Sequence, residues 1–393
     1  MNTSFFDQHL AQTTLHPLNL EIERAEGIYI IDKQGRKYMD MVAGIAVSNA
    51  GHSHPRIVEA VKNQVEKYMH VMVYGEFQQE APKRLAGLLT SHLPDSLDTC
   101  YFVNSGTEAN EAALKLAKRL TGRTRLVSCK GSYHGSTHGS LSVSGNEMKK
   151  YAFRPLLPDV HFIRFNVEED LGMIDSDTAA VIVETIQGDA GVRIPDISWM
   201  QALRKRCDET GAQLILDEIQ CGMGRSGSLF AFEQFGIVPD ILTLGKALGG
   251  GMPIGAIISS REKMMALCSK PPLGHITTFG GHPVPSAAGA AAFEMLMDEG
   301  HFASVGKKGD LLADLLRVHP KVKEIRYRGL MFAIDMGDAE TVQRVVEYCL
   351  AKGLISFWFL SCPESFRLAP PLTISEEELK AAASIILEAF DVA

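Results

Sequence analysis

From Thr99 onward, short runs of apolar, β-prone residues alternate with longer stretches of helical periodicity. Strands are expected at Thr99–Val103, Leu126–Cys129, Val160–Ile163, Ala180–Glu184, Leu214–Asp217, Ile241–Leu244 and Ala256–Ser259. These runs are apolar throughout rather than at every second position, which predicts a mostly parallel sheet covered on both faces. Earlier in the chain, Gly27 to Asp32 alternates into a turn at Lys33-Gln34-Gly35 and Lys37–Asp40 leads back, the pattern of a β-hairpin. Beyond Pro283 an Ala-rich helix is expected at Ser286–Met297, then further helices with strands at Val322–Arg326 and Met331–Asp335. The expected organisation is a large α/β domain over residues 51–299 and a smaller α+β domain made of residues 300–393 with the N-terminal segment and hairpin, 1–50. No low-complexity linker and no internal repeat separates them.

Composition narrows the partners. The chain has 393 residues, 46% of them hydrophobic, which is enough for a large core. Its 39 basic and 47 acidic side chains give a net charge of −8, which argues against nucleic acid or an anionic membrane as a partner. The run Arg204-Lys205-Arg206 reads as the wet face of a helix. No apolar stretch reaches the roughly 20 residues of a membrane span. Met1 to Leu10 lacks the pattern of a secretory signal. The seven cysteines are odd in number, scattered and free of CxxC spacing, so they are expected as reduced thiols of a cytoplasmic protein, with no disulfide framework and no metal site. His52 and His54 read as part of a Gly-His-x-His-Pro turn.

Two places carry chemistry. Strand Thr99–Val103 ends in Asn104-Ser105-Gly106-Thr107-Glu108, and a helix starts there whose Ala109, Ala112, Ala113, Leu116, Ala117 and Leu120 form one buried stripe. A helix N-terminus at the carboxyl end of a strand offers free N–H groups and a positive dipole end to a phosphate dianion. A serine in that place also serves as a plain N-cap, and both readings stand on these residues. Strand Leu214–Asp217 ends in an acid, and strand Ile241–Leu244 is followed by Gly245-Lys246 and then Gly249-Gly250-Gly251. Strand ends at one edge of a parallel sheet converge, so Asp217 and Lys246 face one ligand or form a salt bridge. A pyridoxal-phosphate site needs such a pair: a desolvated amine to attack an aldehyde, and a carboxylate to keep a pyridine nitrogen protonated.

These residues resemble the signature of the class III aminotransferases, the group that includes the acetylornithine, ornithine and 4-aminobutyrate aminotransferases. The resemblance covers Leu214 to Ile257 and extends over nearly the whole chain, through Ala43 to Val47, Gly51 to Pro55, Asn104 to Asn110, Tyr133-His134-Gly135, Thr278 to Gly281 and Arg367 to Pro371. It implies fold type I, the aspartate-aminotransferase architecture, with pyridoxal 5'-phosphate as cofactor. Lys246 is then the Schiff-base lysine and proton shuttle, Asp217 the partner of the pyridinium, and Gln220 the partner of the ring's phenolic oxygen. Ser105 with the amides of Gly106 and Thr107 holds the phosphate, Tyr133 stacks on the ring, and His134 and Glu184 complete the cofactor site. Thr278 reaches the phosphate of a neighbouring subunit in a homodimer. Arg367, Asp189, Ile45 and Tyr74 lie on the substrate side.

Three positions depart from that resemblance. Ser136 stands where a carboxylate-clamping arginine is usual, so either the far end of the substrate is not a carboxylate or another cation holds it; Arg154 and Arg164 are candidates, though each reads better as a surface residue. Asp189 replaces a glutamate that pairs with the arginine at position 367, so a looser pair is expected. His282 replaces an asparagine near the phosphate. The expected activity moves an amino group from an ω-amino acid or amine to an oxo acid such as 2-oxoglutarate. An aminomutase, racemase or decarboxylase on the same scaffold is the alternative, and a non-catalytic protein of this fold is a third reading.

Overall fold

A computed structural model describes residues 9–14, 17–73 and 75–393. Tyr74, expected on the substrate side, lies outside the described residues. The N-terminal hairpin forms as expected, from β2 (Tyr29–Asp32) and β3 (Lys37–Asp40), with β1 (Ile22–Glu26) added on the other side of β2.

The central sheet has seven strands: β4 (Thr99–Val103), β5 (Arg125–Cys129), β6 (Val160–Ile163), β7 (Thr178–Glu184), β8 (Gln213–Asp217), β9 (Ile241–Leu244) and β10 (Gly255–Ser259). Their order is β4-β10-β9-β8-β7-β5-β6. Every expected strand is present, and β7 and β8 lie at the middle of the sheet, where β7 is buried along its whole length. Only β10 runs against the rest, antiparallel to both β4 and β9. The other six strands therefore share one direction, and the loops after β4, β5, β7, β8 and β9 emerge on one edge. Registers Glu184↔Asp217 and Asp217↔Thr243 set the ends of β7, β8 and β9 side by side.

A four-stranded antiparallel sheet follows from β11 (Glu324–Arg328), β12 (Met331–Asp335), β14 (Phe357–Trp358) and β15 (Ser365–Leu368). The short β13 (Leu354–Ile355) instead joins β3 in parallel, so the C-terminal part completes the N-terminal sheet. Helices His301–Arg317, Ala339–Ala351 and Glu376–Val392 bury Leu312, Val345 and Ile386 in the core they share with β12 and β15. The first strand here starts later than expected because Val322 N closes a turn on His319 O. The Ala-rich helix starts earlier, at Pro283, a residue that needs no N–H donor at a first turn. His282 caps it, accepting from Val284 N at 3.2 Å, which gives that departure a structural reason.

No helix among the described residues is long and apolar enough to cross a membrane, and no group of His, Cys, Asp and Glu there is arranged to hold a metal. His52 bonds Asp40 at 2.8 Å and forms an antiparallel bridge with Gly27. Arg204 pairs with Asp208 and Asp240, which neutralises the basic run.

Candidate active site

Loops from the common edge enclose a cavity of about 310 Å³. Asp217, the last residue of β8, is almost fully buried on its wall. Its Oδ2 accepts from Asn110 Nδ2 at 2.8 Å and meets His134 Nδ1 at 2.8 Å, while Oδ1 accepts from Ile219 N at 3.0 Å. Asn110 reaches it from helix Gly106–Thr121 and also donates to His134 O at 2.7 Å. A buried carboxylate without a cation is expensive, and these contacts fix its position and offset part of that cost.

Lys246 lines the same cavity and follows β9 with φ of 45°, a left-handed conformation that costs on the order of 1 kcal/mol outside glycine. Burial pushes its amine below the usual lysine range. Asp217 and Glu184 pull the other way, and the charge of Arg367 adds to the depression. The result favours the neutral, nucleophilic form.

Glu184 ends β7 and accepts from Tyr133 N at 2.9 Å and Gly188 N at 2.8 Å, tying two loops of the rim together. Burial raises its carboxyl to about 7, and the neighbouring charge of Asp217 adds to the rise while His134 opposes it. A carboxyl raised above its unfolded value stabilises the folded chain below the unfolded pKa, and that contribution is lost as pH rises through about 7. Glu184→Gln in the cofactor-free protein is therefore expected to flatten the loss of stability between pH 5 and 8 by about 3 kcal/mol, read from urea midpoints. Parallel pH profiles for the two proteins would contradict this.

At the start of helix Gly106–Thr121, Ser105 Oγ accepts from Glu108 N at 3.3 Å, so its hydroxyl acts as an N-cap. The amides of Gly106 and Thr107, in the first turn, have no acceptor within the helix. Both residues line the cavity, and Thr107 Oγ1 bonds Thr137 Oγ1 at 2.8 Å. A side chain at Gly106 would come within 2.8 Å of Ile219, so only glycine lets the loop close on this wall.

Tyr133, His134, Ser136, Ile186 and Gln220 also line the cavity. Tyr133 keeps 38% of its surface exposed, presenting an open aromatic face, and its hydroxyl lies 3.4 Å from Ser136 Oγ. Ile45, Asp189, Arg367 and Thr278 are not on this wall. Ile45 lies in a tight segment after β3 with φ of 63°, and Thr278 is exposed.

Arg367 and Asp189 form a cluster of their own, close enough to the cavity for the arginine to act on Lys246. Arg367 Nη2 donates to Asp189 Oδ1 at 3.4 Å, the loose pair expected for the shorter acid. Asp189 Oδ2 takes Lys149 Nζ and Ser361 Oγ, each at 2.6 Å. Burial works against the charge of Asp189, but Lys149, Ser361 and Arg367 outweigh it and hold the carboxyl below its usual range. Burial lowers the Arg367 guanidinium to about 10, against the pull of Asp189. Arg154 and Arg164 take no part: they pair with Glu147 and Asp170 and remain more than half exposed. The cation beside Asp189 that sequence reasoning missed is Lys149, whose Nζ also lies 5.2 Å from the centre of the Tyr133 ring.

The chain matches the class-III aminotransferase family over residues 10–390 and belongs to that family. The acetylornithine aminotransferase of Methanopyrus kandleri is 42% identical over 368 residues, covering 93% of this chain and 92% of that protein. A LysW-aminoadipate semialdehyde/glutamate semialdehyde transaminase of Sulfolobus acidocaldarius is 38% identical over 374 residues, 94% of each chain. Among solved structures, an ornithine aminotransferase from Toxoplasma gondii superposes with a TM-score of 0.91 at 29% identity, over 98% of this chain and 92% of that one. An amine transaminase from an uncultivated Pseudomonas species, in its PLP-bound form, gives 0.89 at 27% identity over 98% and 99%. The protein is thus a fold type I, pyridoxal-phosphate-dependent aminotransferase with a small-molecule amino donor and an oxo-acid acceptor. The cavity suits that cofactor: a locked carboxylate, a desolvated amine, an open aromatic face and unpaired helix amides line one space.

Proposed function

We propose that the enzyme takes the ω-amino group from a carboxylate-bearing donor of the acetylornithine, ornithine or 4-aminobutyrate kind and passes it to 2-oxoglutarate in the same pocket. The observation that carries this reading is Arg367, a buried guanidinium beside the cavity that makes one long bond to Asp189 and leaves Nε without a partner. Such a group is completed by a planar carboxylate. Ser136 leaves the opposite requirement, a clamp next to Tyr133, unmet by any guanidinium at that position.

In this reading Lys246 carries the cofactor and moves the proton at the substrate carbon, its amine shifted by burial toward the neutral form. Asp217, locked by Asn110, His134 and the Ile219 amide, would hold the ring nitrogen. Gly106, Thr107 and Ser105 would hold the phosphate, Gln220 the phenolic oxygen and Tyr133 the ring face, with His134 and Glu184 bracing the wall. When bound, pyridoxal phosphate supplies the sink for the electrons released at the substrate carbon. Thr278 is exposed and does not line its own cavity; in this reading it would serve the phosphate of a neighbouring copy in a homodimer with shared sites. Ile45 and Tyr74 remain assigned to the substrate side, and seven free cysteines agree with a reducing, cytoplasmic setting.

Arg367→Leu is expected to raise KM for 2-oxoglutarate roughly 10- to 100-fold, the worth of a shielded charge-assisted bond pair. The half-reactions measured separately test it, with a carboxylate-free diamine as a donor that needs no such contact. An unchanged KM for the oxo acid would remove Arg367 from the reading.

A further inference from the structure

Beside the cavity, one carboxylate meets two cations and does not share itself evenly. Lys149 Nζ and Ser361 Oγ both lie 2.6 Å from Asp189 Oδ2, whereas Arg367 Nη2 is 3.4 Å from Oδ1. Charge-assisted bonds of full strength are about 2.7–2.9 Å between nitrogen and oxygen, so the lysine holds the aspartate more closely than the arginine does. Ser361 is itself anchored, accepting from Asn146 Nδ2 at 2.9 Å. Lys149 follows Asn146 in one short 3₁₀ turn (Glu147–Lys149), so both ties to Asp189 are organised by the same loop.

The consequence falls on Arg367. It is 5% exposed, lies with its guanidinium 4.0 Å from the centre of the Phe359 ring, and has a buried Nε with no partner. A guanidinium carries five donors, and burying it with so few used is unfavourable unless an anion completes it. Were Asp189 free, it would be that anion and would close the pocket to any other carboxylate.

We propose that Lys149, together with Ser361, is a positioning residue that holds Asp189 off Arg367 and so keeps Arg367 open as the receptor for a substrate carboxylate. This rests on the reading that Arg367 binds that carboxylate. Lys149 sets selectivity: it favours donors and acceptors that bring a carboxylate to Arg367, and it matters little for amines that bring none. Without Lys149, Arg367 is the cation left beside Asp189, and an incoming carboxylate must first displace that pair.

The test uses the cofactor-loaded enzyme and glutarate, a dicarboxylate with no carbonyl to react, titrated calorimetrically. Retention of the cofactor's visible absorbance checks that each variant is folded. Lys149→Met is expected to weaken glutarate at least about tenfold, and to raise KM for 2-oxoglutarate with the loss falling on KM rather than kcat. Ser361→Ala changes no charge and is expected to weaken glutarate about threefold. Lys149→Arg, which keeps a donor for Asp189, is expected to stay within about threefold of the parent. The double variant Lys149→Met, Asp189→Asn is expected to recover parental binding, since no carboxylate then competes for Arg367.

Unchanged binding in Lys149→Met overturns the proposal. So does a normal Ser361→Ala, which would mean that Lys149 acts by charge alone. A double variant as weak as the single one overturns it too, because Lys149 would then contact the ligand itself. Arg367→Leu separates the two levels: if it binds glutarate normally, the underlying reading fails. If it loses glutarate while Lys149→Met does not, only the present inference fails.

Discussion

Lys246→Ala is expected to lower turnover by at least about 10⁴-fold, the upper end of what a positioned proton carrier contributes, because covalent attachment is lost along with it. The amine reaches the cavity from a residue held at positive φ just after β9, and among the described residues no second lysine lines that space. The variant should still take up pyridoxal phosphate, since Asp217 and the Gly106-Thr107 amides do not depend on the lysine. Single-turnover kinetics on cofactor-loaded protein check this, because they separate chemistry from cofactor loss. Turnover within about 100-fold of the parent would place the proton transfer elsewhere.

Asp217→Asn is expected to cost about 10² to 10³ in kcat, comparable to losing one preorganised charge contact in a shielded site. The physical reason is that an amide presents no fixed negative charge to a ring nitrogen. A second effect is structural. Asp217 Oδ1 accepts from Ile219 N and Oδ2 from Asn110, and an amide NH₂ turned toward either donor breaks that contact. Melting temperature measured beside kcat separates the two: a small thermal change with a large kinetic loss assigns the effect to charge. A variant that melts much earlier yet turns over normally when folded would contradict the role given to Asp217.

Both residues were legible in the sequence because each ends an uninterrupted apolar run, and the common direction of such runs brings their carboxyl ends together. The turn at Ser105-Gly106-Thr107 was legible for the same reason, a strand running into it with a helix starting at once. Strand direction was not. The all-buried β10 has the same pattern whichever way it runs, so its antiparallel place between β4 and β9 left no mark. The pairing of β13 with β3 was equally hidden, since it joins residues over 300 positions apart through backbone bonds alone.

The substrate side was harder to read. Arg367 and Asp189 came from resemblance, whereas Lys149, Ser361 and Asn110 carry no periodic signal and meet their partners only through the tertiary fold. Lys149 sits in a polar stretch next to Lys150, which packs over Phe162 instead, so neither lysine announces its role. Arg154 and Arg164 pair with local acids on the surface, the reading their sequence favoured over a clamp. Departures from a family pattern at Ser136 and Asp189 were visible in the chain, but the lysine that pairs with Asp189 was a matter of three-dimensional placement.

The most direct test of the account is the absorbance spectrum of the purified, cofactor-loaded protein and its Lys246→Ala variant, before and after single amino donors and then 2-oxoglutarate. The account predicts a visible band of lysine-bound pyridoxal phosphate in the parent and not in the variant, lost with an ω-amino donor and restored by the oxo acid. A band that is absent after cofactor addition, or identical in Lys246→Ala, would contradict the assignment of Lys246 and with it the site built around it.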